Sequence, residues 1–231
     1  GSLREVNGQQ WDEVFTTEAL HEDTDCVFFD ADGDGDDDLY VSSGGTEFSS
    51  SSEGLFDRLY IQEKGTWSIS KGINATLGFF SNGTVSAADW DADGDIDIFV
   101  GERLQPFAVG KPVSGRLLEN DGAGNFMDVT QQYAPRLLHS GMFTGSVFMD
   151  IDHDGDQDLI TSGEWSPIRV FRNQLIETQE AVFKETTEQS GLGESNGWWN
   201  EVLVTDWDGD GYVDLIGLNH VLNGRLRMNA N

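Results

Sequence analysis

The nine-residue pattern D-x-D-x-D-G-x-x-D occurs four times in this chain, at 30–38, 89–97, 150–158 and 206–214. The starts fall 59, 61 and 56 residues apart. One such run could arise by chance in an acidic protein. Four at so regular an interval mean repeated supersecondary units, none of which can bury an apolar face alone, so the fold must stack them.

The carboxylate spacing carries a chemical requirement of its own. Positions 1, 3 and 5 are Asp30, Asp32 and Asp34; Asp89, Asp91 and Asp93; Asp150, Asp152 and Asp154; and Asp206, Asp208 and Asp210. Alternate carboxylates can converge on one hard cation if the backbone turns sharply between them, and calcium takes six to eight oxygens at ~2.3–2.6 Å. Glycine at position 6 (Gly35, Gly94, Gly155, Gly211) permits that turn. Position 7 is expected to give its backbone carbonyl, so its side chain is free to vary: Asp36, Asp95, Asp156 and Tyr212. An EF-hand loop needs Glu at position 12. Here that position is Val41, Val100, Thr161 and Gly217. Asp38, Asp97, Asp158 and Asp214 at position 9 are expected to close each site instead. Polar turns would not demand carboxylates at i, i+2, i+4 and i+8. Magnesium prefers fewer carboxylates and keeps its waters, and zinc needs His or Cys at ligand spacing. The expected complement is about four Ca²⁺, one per repeat.

Apolar runs flank every loop. Val27-Phe28-Phe29, Ser86-Ala87-Ala88, Val147-Phe148-Met149 and Leu203-Val204-Thr205 precede them; Leu39-Tyr40-Val41, Ile98-Phe99-Val100, Leu159-Ile160 and Leu215-Ile216 follow. Each unit therefore reads as a strand, a metal loop and a second strand. A third strand opens with a basic residue at Arg58, Arg116, Arg169 and Arg225. A fourth carries an aromatic in 65–69, 124–129 and 182–186. Four short strands per unit is the pattern of a β-propeller blade of antiparallel strands. The chain reads as one all-β domain over 1–231 with four repeats. Gly8 to Phe15 matches the fourth-strand pattern and 224–228 the third. Pairing them would close a four-blade ring and remove two exposed edges. The rival is an arc of a larger propeller, with a homodimer possible if four blades do not close. Gln131 to Leu138 and Thr16 to His21 are expected to form single helical turns.

The formal charge is −29, but the four loops hold twenty of the 42 acidic residues. Much of the acidity is thus metal ligand. The remainder argues against nucleic acid or an anionic membrane surface as partner. No run reaches the ~18 apolar residues of a membrane span. Cys26 is the only cysteine, which forbids an internal disulfide, and its apolar setting predicts a small buried core residue. Calcium sites of modest affinity suit an extracellular, secreted or cell-surface location.

Several further segments are distinctive: Asp23-Thr24-Asp25-Cys26-Val27-Phe28-Phe29-Asp30, Ser43-Gly44-Gly45, Asp57-Arg58-Leu59-Tyr60, Gly163-Glu164-Trp165-Ser166-Pro167-Ile168 and Gly197-Trp198-Trp199-Asn200. With the loops, they resemble the FG-GAP/VCBS repeat family, which includes the integrin α-subunit propeller and large bacterial proteins with an ASPIC/UnbV-type ending. The resemblance spans nearly the whole chain. It implies a β-propeller with calcium in the first hairpin of each blade, an extracellular or envelope location, and a binding role. No integrin-type ligand site is carried over.

Other residues have two readings. Trp165, Trp198 and Trp199 could stack on sugars or act as wedges between blades. Trp90 and Trp207, at position 2 of their loops, are expected to pack over the loop, and His153 to point to solvent. The four arginines are expected to pair with nearby carboxylates. Asn74-Ala75-Thr76 and Asn82-Gly83-Thr84 are glycosylation sequons. No His-Glu-x-x-His, phosphate-binding glycine loop or Gly-x-Ser-x-Gly elbow is present. The expected function is a non-enzymatic module for adhesion or for recognition of an extracellular protein or glycan. The alternative is a polysaccharide-active enzyme or its carbohydrate-binding platform.

Overall fold

The computed structural model describes residues 20–70, 73, 78–108, 110–180 and 182–220. The first sheet runs β1 (Asp23–Phe29), β2 (Asp38–Ser43), β3 (Arg58–Glu63) and β4 (Thr66–Ile69), each strand antiparallel to the one before. The second repeats this order with β5 (Ser81–Ala88), β6 (Asp97–Leu104), β7 (Gly115–Asn120) and β8 (Phe126–Asp128). In the third, β9 (Phe143–Met149), β10 (Asp158–Ser166), β11 (Arg169–Arg172) and β12 (Lys184–Glu185) do the same. The fourth unit contributes the hairpin of β13 (Gly197–Thr205) and β14 (Asp214–Asn219). It is joined to the third unit, because Glu164 pairs with Trp198 and Ser166 with Gly197 across a bulge in β10. The expected helical turn after Val129 is present as α1 (Thr130–Tyr133) and a 3-10 turn at Pro135–Leu137. A further turn, α2 (Leu175–Thr178), was not legible in the sequence. The segments expected to close a ring, 8–15 and 224–228, lie outside the described residues, as do Arg225, Asn74-Ala75-Thr76 and most of Thr16 to His21.

Three cores separate the four units, because side chains alternate across each strand. Phe29, Tyr40, Leu59, Val85, Ile98, Leu118 and Phe126 fill the space between the first and second sheets. Trp90, Phe99, Leu117, Phe143, Phe148, Phe171 and Phe183 fill the next. Ile160, Ile168 and Val202, with Val147 and Trp199, fill the third. The first strands pack in succession, β1 on β5, β5 on β9 and β9 on β13. Their closeness needs glycine: a Cβ on Gly101 would sit 2.5 Å from the Cβ of Phe143. One polar cavity of about 290 Å³ is lined from all four first strands, by Thr24 and Asp25, Gly83, Thr144, and Asn200 and Glu201.

The same alternation corrects two expectations. Cys26 is exposed rather than buried. Val27 and Phe29 take the face turned to the second sheet, which sends Cys26 and Phe28 to the opposite face. Trp207 is 78% exposed, whereas Trp90 is buried against Tyr133 and Phe183. A position-2 side chain packs on the sheet that follows its loop, and among the described residues no sheet follows the fourth loop.

A buried polar knot ties the first sheet to the second. Asp57 accepts hydrogen bonds from the Tyr40 hydroxyl (2.5 Å), the Ser43 N–H (2.7 Å) and the Asn82 amide (3.0 and 2.8 Å). Burial pushes its carboxyl up to about 6, opposed by these donors and by Arg58. Asn82 is thereby buried and engaged, so the Asn82-Gly83-Thr84 sequon is closed to glycan attachment. Asp57→Ala would strand the Tyr40 hydroxyl and the Asn82 amide in the interior. We expect it to lower stability by ~3–5 kcal/mol in chemical denaturation, and Tyr40→Phe by ~1 kcal/mol.

Candidate metal centres

Each acidic loop joins the first two strands of its unit, and its carboxylates first organise the backbone. Asp30 at position 1 accepts from the N–H groups of Gly33 (2.8 Å), Asp34 (3.2 Å) and Gly35 (2.9 Å). Asp206 repeats this with Gly209, Asp210 and Gly211 at 2.7, 3.1 and 3.0 Å. Asp150 accepts from Asp154 and Gly155, and Asp89 from Gly94. The turn requires the glycines expected at position 6, whose φ values are +90°, +101°, +103° and +90°. Position 4 is also left-handed in every loop, at Gly33, Ala92, His153 and Gly209, which the sequence did not signal. His153 is exposed as expected, but its ring meets that of Tyr212 at 5.6 Å.

Position 9 does more than close a loop. Asp38 accepts from Ala31 N–H (2.8 Å) within the loop and from Gln62 N–H (2.7 Å) on β3. Asp158 does the same with Ile151 (3.1 Å) and with Asn173 (2.8 Å), which directly follows β11. Asp97 accepts from Asn120 N–H on β7 at 2.8 Å. These three aspartates are fully buried. Each staples its loop to the third strand of its own sheet. Asn120 and Asn173 then reach back to the previous loop, donating from Nδ2 to Ala31 O (2.9 Å) and Trp90 O (2.7 Å). Asp214 is exposed and accepts from Trp207 N–H within its own loop at 2.9 Å.

The position-7 side chains, expected to be free to vary, are hydrogen-bonded in two of the loops. Asp36 accepts from Lys64 N–H (3.0 Å) and Asp156 from Ile176 N–H (3.3 Å). A Cβ on Gly122 would meet the Asp95 carboxylate at 2.5 Å. In two loops, then, this side chain hydrogen-bonds the turn that follows the third strand, and in the second it lies against that turn. Tyr212 has no such role among the described residues; it is exposed and donates its N–H to Asp210 (2.9 Å).

The structure gathers positions 1, 3 and 9 in three loops: Asp30, Asp32 and Asp38; Asp89, Asp91 and Asp97; Asp150, Asp152 and Asp158. In the fourth it gathers Asp206, Asp208 and Asp210. Within each set the ligand oxygens lie within 4.8 Å of one another, the span that one cation with oxygens at ~2.4 Å allows. Asp34 and Asp93 stand outside these sets, each accepting the position-7 N–H of its loop at 2.9 Å. Asp154 and Asp156 form a further set with Glu177 of α2, a ligand type the sequence reading missed because α2 itself was missed.

The donor set fits a cation. Asp89 Oδ1, Asp97 Oδ2, Asp152 Oδ1, Asp154 Oδ2 and Asp156 Oδ1 are buried without a hydrogen-bond partner. Burial pushes the Asp97 carboxyl up to about 8 and that of Asp158 to about 7. Asp91 rises to about 6 through burial and then the charge of Asp93. A cation in the loop would hold all of these ionised.

Three of the four arginines, those among the described residues, pair as expected: Arg58 with Asp23, Arg116 with Glu102 and Asp128 (3.8 and 3.9 Å), and Arg169 with Glu185 (3.0 Å). The tryptophans divide. Trp199 is a wedge in the third core, its Nε1 donating to Ser195 O. Trp165 is exposed, has φ +55°, and stands 5.5 Å from Trp198, which in turn stands 5.7 Å from His220.

The two roles of these aspartates are separable. With the cation chelated, Asp91→Asn should cost little or relieve repulsion, whereas Asp97→Ala, which removes the acceptor, should cost ~1–3 kcal/mol by breaking the staple. With cation present, both should lose stabilisation. Denaturant melts with and without chelator check this.

No curated protein matches this chain. The family model for the FG-GAP-like repeat matches residues 30–100 and 150–217, each stretch holding two of the four acidic loops. Loops, hairpins and family model therefore coincide, and the chain belongs to the FG-GAP-like repeat family.

Proposed function

We propose that this chain is a calcium-binding β-propeller module that works outside the cell, in adhesion or in recognition of a protein or glycan, with no catalysis of its own. The observation that carries the reading is the set of acidic clusters, one in each of four successive hairpins, with buried, unpartnered oxygens in the second and third. Oxygen-only donors in that number suit calcium better than magnesium or zinc. Asp38, Asp97 and Asp158 at position 9 make the ion structural, since they tie their loops to the chain of the third strand. The succession of β1, β5, β9 and β13 about one polar cavity supports blades turning about an axis. Phe28 and Leu203 face outward at the two ends of the series, 56% and 50% exposed. Closure of the ring, further blades or a second copy would cover them.

Ion binding to the native state alone adds to stability by mass action. Chelation with EDTA should therefore lower the Tm by ten degrees or more, on the order of 3 kcal/mol for a chain this size. Calcium should restore it at lower concentration than magnesium. A Tm indifferent to EDTA would sink the reading.

The recognition surface we favour is the aromatic row of Trp165, Trp198 and His220. Its exposed ring and left-handed backbone at Trp165 cost stability that packing does not return. Aromatic faces of this kind stack on sugars and anchor protein partners. On a glycan array or in a pull-down from extracellular extract, Trp165→Ala should abolish capture while leaving the Tm within about 1 °C. Trp199→Ala should instead destabilise by ~3–5 kcal/mol, as a core aromatic does. Retained capture by Trp165→Ala would move the surface elsewhere.

A further inference from the structure

The staple hydrogen bonds place three residues of the third strands in register without reference to sequence similarity. Gln62, Asn120 and Asn173 each donate a backbone N–H to the position-9 aspartate of their own unit. The residues just before them are Ile61, Glu119 and Arg172. They occupy one structural position beside three equivalent loops, and their charges are zero, minus one and plus one.

Their surroundings follow those charges. Ile61 packs with the apolar side chains of the first core. Glu119 is half-buried and directly precedes Asn120, whose N–H is held by Asp97 of the second loop. Arg172 extends into the third loop, where its guanidinium pairs with Asp152 and stands 3.9 Å from Asp154. Asp152 belongs to the carboxylate set of that loop. A guanidinium held on a ligand both repels an arriving cation and occupies an oxygen the cation needs.

We propose that this position grades the cation affinity of the loops, with Arg172 acting as an internal counter-ion that makes the third loop the weak, exchangeable site. Glu119 makes the second loop the tightest of the three, and Ile61 leaves the first between them. The inference rests on the calcium reading above and concerns how its sites differ. The third loop then releases its ion first as calcium falls. It also carries the β10 bulge at the far end of its hairpin, where Trp165 meets Trp198, so its exchange is felt in the sheet that presents the aromatic row.

The test is a calcium titration of the ¹⁵N-labelled chain, following the backbone amides of Gly35, Gly94 and Gly155 separately by NMR. Gly94 should reach its bound position at the lowest calcium concentration and Gly155 at the highest. Arg172→Gln should lower the midpoint at Gly155 by about tenfold, the effect of removing one unit charge close to a divalent ion at a partly solvated site. It should leave Gly35 unchanged. Arg172→Lys, which keeps the charge, should keep the high midpoint, and Glu119→Gln should raise that of Gly94. If the glycines respond but Gly155 is not last, or Arg172→Gln does not shift it, the inference is overturned while the calcium reading stands. If no glycine responds to calcium, both fall.

Discussion

Three buried carboxylates hold this architecture together. Asp38, Asp97 and Asp158 are each removed from water, and each accepts a backbone N–H from the third strand of its sheet. Burying an anion is costly unless it is paired and hydrogen-bonded. Backbone donors supply part of the compensation, and the elevated carboxyls of Asp97 and Asp158 show that they do not supply all of it. A cation in the loop, as proposed above, would supply the rest. Because Asn120 and Asn173 also bind the preceding loop, the second and third sheets are each fastened both to their own loop and to that of the sheet before. Loop, hairpin and inter-sheet contact thus form one coupled system, and disturbing a loop is felt in the adjacent core.

The packing between sheets depends on the same loops. Position 2 sends a side chain onto the following sheet: Ala31 into the first core, Trp90 into the second, Ile151 against the third. Trp207 has no following sheet among the described residues and is exposed. Glycines Gly101 and Gly115, both crowded by Phe99 or Phe143, let the aromatic layer between the second and third sheets come close. Large rings opposite glycine give dense packing without strain, as close-packed interiors require.

The aromatic residues show why composition alone is a poor guide to a binding surface. Trp198 and Trp199 are neighbours in sequence, yet strand alternation sends Trp199 into the third core and leaves Trp198 beside Trp165. A bulge in β10 at Trp165 turns its ring outward and also joins the third sheet to the fourth. The proposed recognition surface is thus built at a join between sheets.

Spacing of like residues is local chemistry, and it was legible in the sequence. The period of the loops determined the number of units, their flanking apolar runs the hairpins, and Gly35, Gly94, Gly155 and Gly211 the left-handed turns. The arginine pairing was also readable, because surplus carboxylates surround each arginine. The rest was decided by contacts between segments far apart in the chain. Nothing in the order of residues says that Cys26 faces away from the second sheet, that Asp95 braces the turn at Gly122, or that Arg172 reaches Asp152 while Glu119 lies beside Asp91. Sequence alone determined four acidic hairpins in a β-rich chain. Only the tertiary structure decided which carboxylates are buried, which share a site and which are already paired, because burial and charge compensation depend on what the neighbouring sheet brings.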